Sequence, residues 1–258
     1  MRHGSLFSGI GGFDLAAEWM GWENVFHCEW NEFGKQILKY YWPKAISYGD
    51  ITKTDFTIHR GTIDVLSGGF PCQDASIANQ NRNGLQGNRT GLFWEMLRAI
   101  EEINPKFVVA ENVENIIQIN NGRDFRTILF ELGRLGYNAE WRICRASEVG
   151  CSHHRSRMYL VAYPNCIRLQ KGKSFFENVF TKASEKRRFV AGTTVSVGIS
   201  WTIEPSVCRL DDGLPTKLDG ITFSKWRNES IKGYGNAVVP QMPYQIFKAI
   251  EQFLNAEI

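Results

Sequence analysis

One cysteine stands in a context that suits chemistry. Cys72 lies in a glycine- and proline-rich turn, Gly68-Gly-Phe-Pro-Cys-Gln73, after an apolar segment, and no acidic residue follows it between positions 75 and 92. Most cysteines are small buried hydrophobic residues. A thiolate is a nucleophile when its pKa is lowered or when an acid/base partner lies nearby. Glu111, at the end of the next predicted strand, is either that partner or a solvated strand-end carboxylate.

A second set of residues could hold a nucleotide-like ligand. The stretch Phe7-Ser-Gly-Ile-Gly-Gly-Phe13 follows a predicted strand and opens a predicted helix, so that its glycines let the backbone approach a ligand. Glu29 comes about 20 residues later, where a carboxylate can accept from ribose hydroxyls, and Asp50 could accept from an adenine amino group. The pattern favours an adenosine cofactor without a phosphate cradle, although an ordinary strand-to-helix turn would carry the same glycines.

Alternating strands and helices must position these residues. Such alternation predicts an α/β fold with a mostly parallel sheet covered on both faces, in which ligands bind outside the carboxyl ends of the strands. The residues singled out above all follow a predicted strand. The sequence predicts strands at 3–7, 25–29, 45–48, 63–66, 107–110, 139–144 and 158–162, and helices at 13–20, 31–41, 92–103, 125–135 and 244–254.

Length and composition exclude several classes of protein. The 258 residues allow one or two domains, and 43% hydrophobic with 22% charged residues argues against a disordered or fibrous chain. No run approaches the roughly 18 apolar residues of a membrane span, and the N-terminus does not resemble a signal peptide. The six cysteines form no CxxC pair, which argues against a zinc site and favours reduced thiols in a cytoplasmic protein.

The regular alternation fades between residues 164 and about 226. The net charge of the chain is only +3, yet residues 168–188 hold seven basic and two acidic side chains and so carry +5. This change predicts a small second domain, residues 164–229, with a basic face. The larger domain would comprise residues 1–163 and 230–258. Charge patterning alone is equally compatible with a solvated surface.

Seven motifs in order give the sequence a family resemblance. The motifs are FSGIGGF (7–13), Glu29-Trp30, Asp50-Ile51, GFPCQ (69–73), ENV (111–113), HHRSR (153–157) and GNAVVP (235–240). With these motifs in this order, the sequence resembles the DNA (cytosine-5) methyltransferases, small bacterial or phage type.

The resemblance implies a Rossmann-like fold that uses S-adenosylmethionine and releases S-adenosylhomocysteine, with a small, irregular target-recognition domain. Phe7 and Trp30 would sandwich the adenine. The implied cofactor-binding residues are Phe7, Gly9, Gly11, Glu29, Trp30, Asp50, Ile51, Pro71, Leu92, Asn236 and Ala237.

The resemblance also implies a mechanism. Cys72 would attack C6 of a cytosine flipped out of duplex DNA, which activates C5 for the methyl group, and Glu111 would assist at N3. Arg155 and Arg157 would contact the base carbonyl or support Glu111. A water-mediated route would remove the C5 proton.

Contacts to DNA are implied for the polar loop 79–90, which would close over the flipped base, and for the basic segment. The implied DNA-binding residues are Ser76, Arg82, Arg89, Lys171, Lys173, Lys186, Arg187, Arg188 and Arg209. Basic side chains that track phosphates give affinity without sequence readout.

Departures from the family pattern leave alternatives open. Ser5 replaces an acid that often precedes LFSG, which would weaken a contact to the glycine turn, and His153 replaces a usual glutamine. An RNA (tRNA) cytosine-5 methyltransferase of the same fold is the second candidate, although its Cys-Phe-Thr signature is absent. A non-catalytic DNA-binding relative is the third. The expected partner is double-stranded DNA, and any cognate restriction endonuclease would act separately. The protein is expected to act as a nucleoid-associated monomer away from membranes.

Overall fold

A seven-stranded sheet forms the centre of the protein in a computed structural model, which describes residues 1–71, 91–151, 155–167, 174–176 and 223–256. The strands are β1 (Arg2–Leu6), β2 (Glu23–Cys28), β3 (Ile46–Tyr48), β4 (Val65–Gly68), β5 (Phe107–Val113), β6 (Tyr137–Arg145) and β7 (Ser156–Pro164). The helices are α1 (Gly12–Trp19), α2 (Glu32–Tyr41), α3 (Leu92–Ile103), α4 (Arg123–Arg134), α5 (Phe223–Asn236) and α6 (Gln241–Ala256).

The strand order β3-β2-β1-β4-β5-β7-β6 confirms the predicted α/β fold. Neighbouring strands from β3 to β5 are parallel, whereas β7 runs antiparallel to both β5 and β6. The order reverses between β1 and β4, which is where a crevice opens at the carboxyl ends of the strands in sheets of this kind.

Helices bury both faces of the sheet, as predicted. Met96 and Ile100 of α3 pack with Ile128 of α4 on one face. On the other face, Phe13 of α1 packs with Phe247 of α6. The segment before α6 also meets the start of α1, because a side chain at Gly12 would lie 2.5 Å from the carbonyl oxygen of Val238.

Phe247 holds α6 against the sheet, and its removal tests that packing. The side chain is fully buried and stacks on Trp22 with ring centroids 4.7 Å apart. Phe247→Ala is expected to lower the free energy of unfolding by about 3–5 kcal/mol, since a buried aromatic is lost and a cavity remains. Urea denaturation followed by tryptophan fluorescence measures the change. Phe130→Ala is the control, because Phe130 is 70% exposed; an equal loss in both variants would contradict the assignment.

Two features of the fold differ from the sequence-based expectation. Glu111 was expected just past a strand, but β5 continues to Val113 because its last residues pair with β7 as far as Arg157. Helix α5 was not predicted. Its sequence, FSKWRNESIKGYGN, contains two glycines and few apolar residues, so it shows no clear 3.6-residue periodicity.

Most of the predicted recognition domain, 164–229, lies outside the described residues, and its boundaries stay a prediction. One described piece packs on the large sheet: the Phe175 ring lies 5.8 Å from that of Phe107 and 5.3 Å from that of Phe253. Helix α5 crosses the predicted boundary at residue 229. Among the described helices, none is long and apolar enough to cross a membrane.

Candidate active site

A cleft of about 640 Å³ opens at the carboxyl ends of the parallel strands. Loops after β1, β2, β3 and β4 form its walls, together with β5 and helix α5. Most of the predicted site residues among the described ones line this cleft: Phe7, Gly9, Glu29, Trp30, Asp50, Ile51, Pro71, Leu92, Glu111, Arg155, Arg157 and Asn236.

The glycine turn after β1 adopts an unusual backbone conformation. Gly9 and Gly11 have positive φ angles of 56° and 86°, which glycine adopts without strain. Phe7 also has a positive φ, 52°, although it carries a side chain. Such a conformation is costly for non-glycine residues and clusters at functional sites. The turn is therefore held in a shape that the surrounding contacts must impose.

The Glu29 side chain links the glycine turn to the segment after β2 through hydrogen bonds. Its Oε2 accepts from the backbone N–H of Gly9 at 2.7 Å, and its Oε1 accepts from the N–H of Asn31 at 2.7 Å. Burial raises the pKa of Glu29, and these backbone hydrogen bonds oppose that shift. Glu29 thus organises the cleft wall, while its contact to a ribose stays a prediction.

The outer rim of the cleft carries an exposed aromatic and a second acid. Trp30 is 73% exposed and lines the cleft, so that its indole is available to a ligand. Asp50 Oδ1 accepts from the backbone N–H and the hydroxyl of Thr52, and the hydroxyl contact is the main reason its pKa is lowered. The rim therefore offers an ionised carboxylate beside a flat apolar surface.

Glu111 lies at the inner end of the cleft, beside two arginines. The Oε1 atom is 3.0 Å from Nε of Arg157, an ion pair by distance, but no N–H of the described residues points at that oxygen well enough for a hydrogen bond. Glu111 is 8% exposed. Burial raises its pKa, and the charges of Arg157 and Arg155 only partly oppose this. A carboxyl group with a raised pKa is suited to donate a proton.

The turn before Cys72 contacts Glu111. Asn112 Nδ2 donates to the carbonyl oxygen of Phe70 at 3.2 Å, and a side chain at Gly69 would lie 3.2 Å from Glu111 Oε2. Pro71, the last described residue before Cys72, lines the cleft. Cys72 itself lies outside the described residues, as do Ser76, Arg82, Arg89, Lys171, Lys173, Lys186, Arg187, Arg188 and Arg209.

The two arginines have different contacts. Arg157 faces Glu111, whereas Arg155 Nη1 donates to the carbonyl oxygen of Gly235 at 2.8 Å. Arg155 thereby ties the β7 side of the cleft to the end of α5. The sequence left two possibilities for these arginines, contact with the base carbonyl or support of Glu111. In this structure Arg157 is the arginine that lies within ion-pair distance of Glu111.

Two predicted cofactor residues, Gly11 and Ala237, are not among those that line the cleft. A side chain at Gly11 would lie 2.3 Å from the ring of Trp42, so the structure gives this glycine a packing function. The closeness of α1 to Trp42, rather than a ligand, explains why no larger residue fits there.

Sequence reasoning found only Asn236 of the α5 wall of the cleft, through the GNAVVP motif, and missed the rest. Glu229 and Gly233 of α5 line it, and Glu229 Oε2 accepts from Asn31 Nδ2 at 3.1 Å. A side chain at Gly233 would lie 3.2 Å from Ile10 of the glycine turn. Glu229 and Gly233 lie outside every motif, and a glycine in a sequence does not by itself distinguish a helix from a loop.

Comparisons with known proteins agree with this geometry. The family model described as C-5 cytosine-specific DNA methylase matches residues 1–199. The type II methyltransferase M.HhaI of Haemophilus parahaemolyticus is 31% identical over 189 residues, which are 70% of this chain and 56% of that protein. The type II methyltransferase M.Eco47II of Escherichia coli is 38% identical over 162 residues, 62% of this chain and 39% of that protein. The chain thus spans about half, or less, of these relatives' length.

A solved structure extends the likeness of the fold to nearly the whole chain. A methyltransferase of Entamoeba histolytica superposes with a TM-score of 0.66 and 16% identity, covering 98% of both chains. At that identity the match concerns the fold alone. The family model and the identity to M.HhaI show more, and the chain belongs to the C-5 cytosine-specific DNA methylase family.

Proposed function

We propose that the protein transfers a methyl group from S-adenosylmethionine to C5 of a cytosine in a short DNA sequence. The observation that carries this proposal is the layout of one cleft. The nucleoside-binding features Glu29 and Trp30 lie on its outer walls, and the Glu111–Arg157 pair lies at its inner end beside the turn that leads to Cys72. A cofactor and a base bound at these two ends would share the same cleft of about 640 Å³.

The outer part of the cleft has features that fit the adenosine half of S-adenosylmethionine. Phe7 and the exposed Trp30 offer apolar surfaces for adenine, and Asp50 offers an acceptor for its amino group. The bound cofactor would supply an electrophilic methyl group. The carboxylates of Glu29 and Asp50 suit its positive charge.

At the inner end, Glu111 supplies the proton chemistry. Cytosine C5 becomes nucleophilic when the Cys72 thiolate adds to C6 and N3 gains a proton. Glu111, with its raised pKa, would donate that proton, and Arg157 would stabilise the carboxylate that remains. C5 then takes the methyl group. Methyl transfer would leave S-adenosylhomocysteine. Loss of the C5 proton to water, departure of the Cys72 thiolate and return of the N3 proton to Glu111 would then restore the ring and the enzyme.

The substrate side of the proposal rests on the family. A base inside a duplex cannot reach a carboxyl group as buried as that of Glu111 unless it is flipped out. Residues 164–229 would read the DNA sequence, and the basic segment 168–188 would contact phosphates. We propose a monomer that acts on double-stranded DNA in the bacterial or phage-infected cytoplasm, with any cognate endonuclease a separate protein.

Base-resolution mapping of 5-methylcytosine tests the proposal. DNA from a methylation-free host that expresses the protein is compared with DNA from cells expressing Cys72→Ser. We expect nearly complete methylation at one short motif, lost in the variant. Unmethylated DNA despite well-expressed, folded protein would contradict the proposal. Methylated cytosines in total RNA from the same cells would then favour an RNA substrate.

A further inference from the structure

A buried acid on α1 has no function in the mechanism above. Asp14 lies in the first turn of α1, is fully buried, and makes no ion pair within the described part of the chain. Its carboxylate accepts from the hydroxyl of Ser5, with Oδ1 and Oδ2 at 2.8 and 3.0 Å from Oγ. An unpaired buried carboxylate is costly, and burial raises the pKa of Asp14 to about 7. Its presence therefore calls for an explanation beyond stability.

A chain of hydrogen bonds leads from Asp14 to the glycine turn. Ser5 Oγ, which gives its only proton to Asp14, lies 2.7 Å from Ser8 Oγ and can accept the proton of that hydroxyl. Ser8 Oγ in turn accepts from the backbone N–H of Cys28 at 3.2 Å. The carboxylate thus directs the Ser5 hydroxyl and leaves Ser5 Oγ free to accept from Ser8, whose hydroxyl also lies 3.2 Å and 3.3 Å from the carbonyl oxygens of Ser5 and Cys28. Hydrogen bonds linked in this way strengthen one another.

The end point of the chain is the part of the turn that faces the cleft. Ser8 lies between Phe7 and Gly9, the two cleft residues with left-handed backbone. The N–H of Ser8 donates to the carbonyl oxygen of Cys28 at 3.1 Å, so that Ser8 is held to β2 by backbone and side chain together. These contacts supply the constraint that the strained Phe7 needs.

The same contacts account for the departure at position 5. Ser5 was expected to weaken a contact to the glycine turn, because an acid often occupies that position in the family it resembles. In this chain a carboxylate reaches the same place from α1, through the Ser5 hydroxyl.

We propose that Asp14 is a positioning residue for the cofactor. Through Ser5 and Ser8 it holds Phe7 and Gly9 in the conformation that binds the adenosine half of the cofactor. The inference rests on the proposed function, and it assigns to the Asp14–Ser5–Ser8 chain the part of cofactor affinity that depends on a preorganised glycine turn.

Calorimetric titration with S-adenosylhomocysteine, without DNA, tests this directly. At pH 8, above the raised pKa of Asp14, Asp14→Ala is expected to weaken binding about 10-fold, because charge-assisted hydrogen bonds that fix the turn are lost. Ser5→Ala should weaken it similarly, and the double variant should bind no more weakly than either single one, since all three break the same chain. A double variant that moves the acid from α1 to position 5, Ser5→Asp with Asp14→Ala, should bind the cofactor within about 3-fold of wild type.

The matched control is Asp124→Ala. Asp124 is also a buried acid in the first turn of a helix, α4, but it does not line the cleft. Unchanged cofactor affinity in Asp14→Ala, strictly additive losses in the double variant, or an equal loss in Asp124→Ala would overturn the inference alone. A wild-type protein that binds neither S-adenosylmethionine nor S-adenosylhomocysteine would overturn the proposed function as well.

Discussion

Glu111→Gln is expected to lower kcat/KM for methyl transfer at least about 100-fold while the protein stays folded. Glutamine keeps the size of the side chain but cannot give up a proton as a carboxyl group does. In the proposed mechanism that proton allows N3 to accept charge when Cys72 adds to C6. A methylation assay with radiolabelled cofactor and duplex DNA measures the loss.

The same substitution separates activity from stability. Because burial raises the pKa of Glu111, the folded protein binds its proton more tightly than the unfolded chain does. Its contribution to stability is therefore present at low pH and is lost as the pH rises from the ordinary value of 4.5 through the raised one. Glu111→Gln should consequently unfold at the same or a higher urea concentration than wild type at pH 8. Arg157, left unpaired, is 25% exposed and can reach water.

Glu114→Gln is the control for this experiment. Glu114 is an exposed acid that follows β5 directly, and its replacement should leave both activity and stability unchanged. Wild-type turnover by Glu111→Gln would refute the assignment of Glu111 as the proton donor. A marked loss of stability at pH 8 would show instead that the ion pair with Arg157 outweighs the cost of burial.

Gly34→Ala is expected to displace the glycine turn and Glu29, which form a wall of the proposed cofactor site. An added methyl group would lie 2.6 Å from the carbonyl oxygen of Gly9 and 3.0 Å from Cγ of Glu29. The first of these contacts is with backbone and cannot be relieved by a side-chain rotation. The glycine turn and Glu29 must therefore both shift away from residue 34. This shift should cost about 1–3 kcal/mol of stability and weaken cofactor binding by about 10-fold or more.

Gly133→Ala provides a matched comparison on helix α4. Nothing lies within 4 Å of the methyl group that it would add. Alanine favours the helix over glycine by up to about 1 kcal/mol, so that this variant should be slightly stabilised and bind cofactor normally. Thermal unfolding with and without S-adenosylhomocysteine measures both quantities. Equal behaviour of the two variants would contradict a close contact at Gly34.

The sequence was sufficient to predict the parallel part of the sheet and the side on which the site lies. Apolar strands alternating with amphipathic helices carry that information locally, and the bounds of α3 were predicted as observed. Glu29 and Asp50 could be found because each follows a strand whose end faces the cleft. The family motifs then connected these positions to the distant Glu111 and Arg157.

Individual side-chain contacts between distant segments could not be predicted, although the return of the C-terminal residues to the large domain was. Helix α5 is polar and rich in glycine, and only its packing against Ile10 and Asn31 makes it a wall of the cleft. The acid that the family often has at position 5 is replaced by Asp14, which accepts a hydrogen bond from Ser5 across nine residues. No sequence periodicity reveals such a contact. Sequence patterns report which residues suit a strand or helix, but not which side chains meet once these have packed.

The packing of α6 on α1 has a consequence for how the chain is made. The apolar side of α1, with Phe13, is covered by Phe247 and Ile250, which lie more than 200 positions later in the sequence. During synthesis that surface stays uncovered until almost all of these 258 residues have left the ribosome. Closure over such a separation is slow, and exposed apolar surface promotes aggregation. The newborn chain should therefore depend on chaperones until α6 has been synthesised.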